Sequence, residues 1–321
     1  MTVSLRLRPR LREAALALGG AMVLLATALT ATATAGPPTP LTGSAAPAEY
    51  QIGTFNMAGG NAEHGPKGDE APEAVARSVR KRMPAVVAVQ EGCGDWSIAL
   101  WNKLREQQYD VILDPVLQRA DGPNAECGHM NSLGFGNSLL LRKDLGFDTS
   151  TYRGHELTKN TGRGRETEHL GKEQREMLCV TAPTRRLVAC SVHLTHNDRK
   201  LRIEEAVEAR RVLEQEYAGY TKLVGGDLND DPLSATADQF YHSGYGFGAR
   251  GELKETDSPC GNDITPVFSY YALPCRMGES THNSGGKIDH LFVSPWVEVK
   301  WSDATSASHS DHVPLWAGVV F

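Results

Sequence analysis

The chain has 321 residues, with 33 Lys and Arg against 39 Asp and Glu and a formal net charge of −6. That balance excludes a protein that holds nucleic acid through a general basic surface, because such binding draws its strength from the phosphates it neutralises. A local basic groove, or a metal bridging to phosphate, stays compatible with it.

The first stretch carries arginines at 6, 8, 10 and 12, then an Ala/Leu-rich core, then Ala33-Thr34-Ala35 before Gly36. This is the layout of a secretory signal, 1–35, and the small-residue exit favours cleavage after Ala35 over an uncleaved anchor. No adjacent Arg-Arg pair precedes the core, which argues against a twin-arginine signal. Without this segment the chain has 29 bases and 38 acids, a net charge of −9. Residues 36–49 form a Pro/Ala/Ser/Gly spacer without periodicity, read as a disordered linker. The remainder, 50–321, is long enough for one large β-rich domain and shows no internal repeat. The mature protein is expected outside the cell as a monomer without stable membrane association.

Polar residues recur at the ends of strand-like runs. "YQIGTFN" ends at Asn56, "AVVAVQE" at Gln90 and Glu91, "LVACSVHLTH" at His193 and His196, and "KLVGGDLND" at Asp227 and Asn229. "KIDHLFVS" has Asp289 and His290 at its start, and the last strand follows Ser310-Asp311-His312. Groups gathered at strand ends converge on one rim of a sheet. Between these runs, Val75, Val79 and Met83 mark one amphipathic helix, and Ile203, Val207, Leu213 and Tyr217 mark the apolar face of another, with its charges facing solvent. Asn197 and Asp198 read as the cap of that second helix. The span from 120 to 176 is Gly- and charge-rich and reads as an exposed loop, whose Arg163, Arg165 and Arg175 are candidate substrate contacts.

None of the six cysteines forms a C-x-x-C pair, so a cysteine-held zinc is a poor reading, and an even count behind an export signal points to disulfides. A hairpin centred on Pro183-Thr184-Arg185-Arg186 sets Ala182 opposite Leu187 and Cys179 opposite Cys190, which predicts a cross-strand bridge. Order and distance then pair Cys93 with Cys127 and Cys260 with Cys275.

Carboxylates and amides without a cysteine ligand suit a hard, oxygen-preferring cation such as magnesium, with manganese or calcium as alternatives. The histidines suit proton transfer near neutral pH. In this reading His312 is a base oriented by Asp289, and Ser310 fixes the turn rather than attacking, since no nucleophile motif accompanies it.

"GTFNMA", "VQEGCG", "SVHLTH", "GGDLND", "KIDHLFV" and "SDHVPLW", in that order, resemble the endonuclease/exonuclease/phosphatase superfamily, of deoxyribonuclease I type. The resemblance implies an α/β fold, a four-layered α/β sandwich of two packed mixed β-sheets flanked by helices. It implies a metal bound by Glu91 with Asn56 beside it and Asp311 at the metal-binding side. His312 with Asp289 matches the base and its orienting acid, Asp227 and Asn229 match the pair that positions water and phosphate, and His193 matches a second histidine at the phosphate or leaving group. Arg175 matches a phosphate contact. One departure stands out, because where deoxyribonuclease I has a glutamate supporting the second histidine, this chain has Gly134, Phe135 and Gly136. The hairpin register offers Glu176, opposite His193, as a substitute. The implied activity is a divalent-metal-dependent phosphodiesterase, first an endonuclease on DNA or RNA, with a sphingomyelinase-type phospholipase C or an inositol- or sugar-phosphate phosphatase as the alternative.

Overall fold

The computed structural model describes residues 48–60, 70–115, 127, 134–157, 174–265, 273–306 and 309–321. The expected signal, 1–35, nearly all of the expected linker, 36–49, and Arg163 and Arg165 lie outside them. Ala48–Phe321 forms one compact unit. No helix among the described residues is long and apolar enough to cross a membrane.

Two six-stranded mixed sheets form the frame. The first takes β1 (Tyr50–Asn56), β2 (Val86–Cys93), β3 (Tyr109–Pro115), β4 (Phe135–Arg142), β11 (Glu298–Ala304) and β12 (Leu315–Val320), in the order β11-β12-β1-β2-β4-β3. The second takes β5 (Asp148–Glu156), β6 (Glu176–Ala182), β7 (Leu187–His193), β8 (Thr221–Asp227), β9 (Lys254–Glu255) and β10 (Asp289–Val293), in the order β5-β6-β7-β8-β10-β9. Each sheet holds one parallel pair with a helix between its strands in the chain: β1 and β2 across α1 (Glu70–Arg82), and β7 and β8 across α3 (Arg199–Gln215). α2 (Gly94–Leu104) follows β2 directly.

Three apolar clusters make the four layers. Ile52, Val86, Ala88 and Leu139 of the first sheet pack against Leu178, Ala189, Leu223 and Leu291 of the second. α1 and α2 cover the outer face of the first sheet through Val75, Val79, Trp96 and Leu100. α3 covers the outer face of the second through Ala206, Ala209, Val212 and Leu213. Strands buried on both faces read as unbroken apolar runs, which is why they stand out in the sequence.

Gly225 in β8 marks a close approach of the two sheets. A Cβ there would lie 2.7 Å from the Cβ of Ala88 and 2.8 Å from that of Thr54. Gly225→Val should therefore wedge the sheets apart and destabilise the fold by about 2–3 kcal/mol, read from urea unfolding. Unchanged stability would show that the layers yield freely.

The hairpin register is as expected, with Ala182 opposite Leu187 and Cys179 opposite Cys190. The three predicted bridges are all present, Cys93–Cys127, Cys179–Cys190 and Cys260–Cys275, and none of the described cysteines is free.

Four expectations need correction. The span from 120 to 176 contains β4, a buried central strand, and β5, so it is not one exposed loop. α1 ends at Arg82, and Met83 takes a left-handed backbone, φ 47°, with its side chain exposed. The inward face of α3 is Leu201, Arg202, Glu205, Ala206, Ala209, Val212 and Leu213, whereas Val207 is exposed. Finally, two charges of α3 do not face solvent. Glu205 accepts from the backbone N–H and hydroxyl of Thr195, and Arg202 donates to the carbonyls of Thr195 and His196 and to Asp230. Those bonds hold the turn that follows His193.

Candidate active site

Strand pairing alone assembles most of the site. At the end of β7 and β8, His193 pairs with Asp227, and across β8 and β10, Asp227 pairs with Asp289. In the facing sheet Asn56 of β1 pairs with Gln90 of β2, and β12 enters beside β1 just after His312. Hydrogen bonds tie the sheets together below this rim: Gln90 donates to the Ser191 hydroxyl at 3.0 Å, and that hydroxyl donates to the Val89 carbonyl at 2.9 Å.

Glu91 needs more than a strand. The β2–β4 register shifts between Val89 and Gly92, and Glu91 has φ 52°. Such a bulge, with a non-glycine residue held left-handed, re-aims a side chain at some cost in strain. Here it turns the carboxylate toward Asn56. Glu91 Oε2 accepts the Gly60 N–H at 2.8 Å, and Oε1 lies 3.3 Å from Asn56 Nδ2.

Asn56 Nδ2 also donates to Asp227 Oδ2 at 2.9 Å, while its Oδ1 accepts the Ala58 N–H at 2.8 Å. The amide nitrogen, not the oxygen, therefore faces the carboxylates. Asn56 links Glu91 to Asp227, a different part from the oxygen ligand that the sequence suggested.

Asp227 Oδ2 lies 3.5 Å from His193 Nε2 and 3.8 Å from His312 Nε2, and Oδ1 accepts the Asn229 N–H at 2.7 Å. Asn229, at φ 52°, makes the turn and donates its amide to the Leu194 carbonyl at 2.9 Å. The two histidines thus flank a single carboxylate oxygen.

His312 Nδ1 is 2.8 Å from Asp289 Oδ2. A carboxylate only accepts, so Nδ1 carries the hydrogen and Nε2 of the neutral ring presents a lone pair. Its nearest carboxylates, Asp227 at 3.8 Å and Asp311 at 4.0 Å, stand too far for a hydrogen bond and leave room for a water. Thr281 Oγ1 fixes Asp289 by accepting its backbone N–H at 2.9 Å, and Ser310 Oγ, which donates to the Asn56 carbonyl and accepts the His312 N–H, fixes the turn as expected. Thr281 carries no pattern that marks it in the sequence.

His193 is arranged differently from the prediction. Arg175 Nη1 lies 2.9 Å from His193 Nδ1. Guanidinium only donates, so Nδ1 accepts from Arg175, while Nε2 lies 3.1 Å from Asn229 Nδ2 and 3.5 Å from Asp227 Oδ2. With Nδ1 taken by Arg175, the expected support from Glu176 is replaced. Arg175 itself is buried behind His193, 4 % exposed, so the predicted substrate contact is a support for the second histidine.

Burial pushes Glu91 up from the usual carboxylate range, and burial with the neighbouring Asp289 charge pushes Asp227 up to about 7. Burial and Arg175 hold His193 well below its ordinary value, so this ring is neutral at physiological pH. Burial works to lower His312 as well, but Asp289, Asp227 and Asp311 raise it to about 10. The His312 charge thus stabilises the fold fully below its ordinary 6.5, and that stability is lost as pH rises toward about 10. The metal-free protein should therefore show a falling Tm over this window, and His312→Gln should flatten the fall. A flat wild-type profile would contradict the Asp289–His312 pairing.

A model of the "Endonuclease/Exonuclease/phosphatase family" matches residues 53–312. The chain belongs to this family. Among solved structures, the mannosyl-6-phosphatase of Bacteroides thetaiotaomicron VPI-5482 is 19 % identical with a TM-score of 0.60, covering 85 % of this chain and 100 % of its own. The human Nocturnin catalytic domain, solved with bound sulfate, is 14 % identical with a TM-score of 0.61, covering 86 % and 94 %. A humanized D. rerio TDP2 is 14 % identical with a TM-score of 0.55, covering 85 % and 99 %. A search of curated proteins finds no match. Membership of the endonuclease/exonuclease/phosphatase family makes the chain a hydrolase of phosphoester bonds.

The rim fits the divalent cation usual in this family. Glu91, Asp227 and Asp289 are crowded with two of them raised by burial, and Asp289 Oδ1 is buried without a hydrogen-bond partner among the described residues. A cation is what such a donor set lacks.

Proposed function

We propose that the chain is an exported, divalent-metal-dependent phosphodiesterase acting on DNA or RNA. The observation that carries this reading is the pair of imidazoles on either side of Asp227 Oδ2, His312 held by Asp289 and His193 held by Arg175 and Asn229. His312 is charged at neutral pH in the metal-free protein; a cation beside Asp227 would favour the neutral ring, whose Nε2 then takes the proton of the attacking water while Asp289 balances the imidazolium that results. His193 Nε2, beside Asp227, stands to contact an oxygen of the phosphate or of the leaving group. Asn56 and Asn229 keep Asp227 between them. Glu91 with Asp227 would hold magnesium, which would supply charge neutralisation for the nonbridging oxygens.

Several features favour a soluble diester over a lipid. The aromatic loop 245–248 does not form an apolar insertion tip, since Tyr245 is fully buried and Phe247 is exposed alone. The other large exposed apolar residues among those described, Met83, Val207, Leu233, Met277 and Trp296, are scattered in sequence. Most of the second aromatic stretch, 267–274, lies outside the described residues. Three disulfides accord with export.

The test is hydrolysis of plasmid DNA, RNA, sphingomyelin and a soluble inositol phosphate by the mature protein, with magnesium and after chelation. Nucleic-acid cleavage that EDTA abolishes and magnesium or manganese restores is the expected result. Activity insensitive to EDTA would overturn the metal assignment, and preference for sphingomyelin or the inositol phosphate would overturn the substrate class.

A further inference from the structure

A second set of donors lies on the other side of His312. His282, in the segment before Asp289, faces Asp311 and His312: His282 Nε2 is 3.6 Å from Asp311 Oδ2, and His312 Nε2 is 4.0 Å from Asp311 Oδ1. One ligand atom from each of the three residues falls within 4.8 Å of the others. Two imidazoles and a carboxylate are a donor set for a borderline-soft ion, unlike the oxygen-rich set around Glu91. We propose that His282, Asp311 and His312 form a zinc site whose occupation shuts the enzyme off.

The His312 ring already has the outer partner that a zinc-bound imidazole uses, and the His282 ring has one within reach. A ligating histidine donates its second ring N–H to a fixed acceptor, which sets the tautomer and aims the lone pair at the metal. For His312 that acceptor is Asp289 Oδ2, 2.8 Å from Nδ1. For His282 it is Ser284 Oγ, 2.7 Å from Nδ1, and the longer 3.2 Å contact from the Ser284 N–H gives way when Nδ1 is protonated. Tetrahedral zinc with bonds of about 2.0–2.1 Å sets its ligand atoms roughly 3.3 Å apart, so the three groups, within 4.8 Å of one another, need to close by at most about 1.5 Å.

The backbone holds this frame without the side chains. His282 bridges His312 as an isolated antiparallel pair, Asn283 N–H donates to the Asp311 carbonyl, and Val313 N–H donates to the Thr281 carbonyl, both at 2.8 Å. The His282 and Asp311 side chains are 21 % and 18 % exposed, which gives an ion a path in and leaves a fourth position for water. Inhibition follows from one atom. The His312 Nε2 lone pair that takes the proton of the attacking water is the one zinc would occupy, and this part rests on the phosphodiesterase reading above.

The experiment has two readouts on the magnesium-loaded, untagged protein. Calorimetric titration with ZnCl2 should show a zinc site that His282→Gln weakens by about tenfold or more, the scale on which zinc sites respond to altered ligation. In parallel, turnover of bis(p-nitrophenyl) phosphate should fall with zinc in the wild type, resist added magnesium, and persist in His282→Gln at the same zinc concentration. Equal zinc affinity in the two proteins, or equal inhibition, would overturn the site and place the ion elsewhere. Should neither protein cleave the diester, the phosphodiesterase reading fails by itself, and the calorimetric comparison still decides whether zinc binds through His282.

Discussion

Replacing His312 with glutamine should lower phosphodiester turnover by about 10²–10⁴-fold, the contribution of a positioned general base. Nδ1 is committed to Asp289 at 2.8 Å, and Nε2 faces the space beside Asp227 Oδ2, with no hydrogen-bonding partner among the described residues close enough to occupy it. Glutamine keeps a donor for Asp289 and offers nothing that takes a proton. Alanine would be the poorer test, because it leaves Asp289 buried without its cation, next to Asp227, and that loss is destabilising by itself. A His312→Gln protein that folds normally and cleaves at the wild-type rate would remove His312 from the chemistry.

Glu91→Gln should cost about 10²-fold or more in turnover, with partial recovery at high manganese, because a cation ligand contributes several kcal/mol through the ion it holds. The substitution is nearly isosteric. Its amide oxygen can still accept the Gly60 N–H, so the bulge at Glu91 keeps its anchor. What changes is one negative charge in a cluster that burial already strains. Wild-type activity at the same metal concentration would show that Glu91 only shapes the bulge.

The fold was legible where burial is two-sided. Strands such as β2, β7 and β8 are apolar runs with no alternation, and their ends are polar because those ends form the rim. The Cys179–Cys190 bridge was legible because a short turn determines which residues face each other. β4 was harder, since Gly134, Gly136 and Asn137 disguise a buried strand as loop, and the inward face of α3 was hidden by Arg202 and Glu205. Those two charges are buried because backbone groups of the β7 turn need partners, a condition no periodicity reveals.

For the site, residue types and their order pointed to Glu91, Asp227, Asp289 and His312, and strand pairing brings them to one rim. Roles that depend on which atom faces which were not legible. Asn56 turns its nitrogen inward, Arg175 stands behind His193, and Glu91 depends on a one-residue bulge. Each of these depends on partners at least 18 residues away in the chain or on a register shift, and composition carries no trace of either.

The central claim is that Glu91 and Asp227, brought from different sheets, hold one catalytic cation next to His312. Manganese binding followed by electron paramagnetic resonance on the metal-free protein tests it most directly. One tightly bound ion per wild-type chain, markedly weakened by Glu91→Gln and retained in His312→Gln, is the predicted result. A protein that binds no manganese, or a Glu91→Gln variant that binds it as tightly as wild type, would contradict the account.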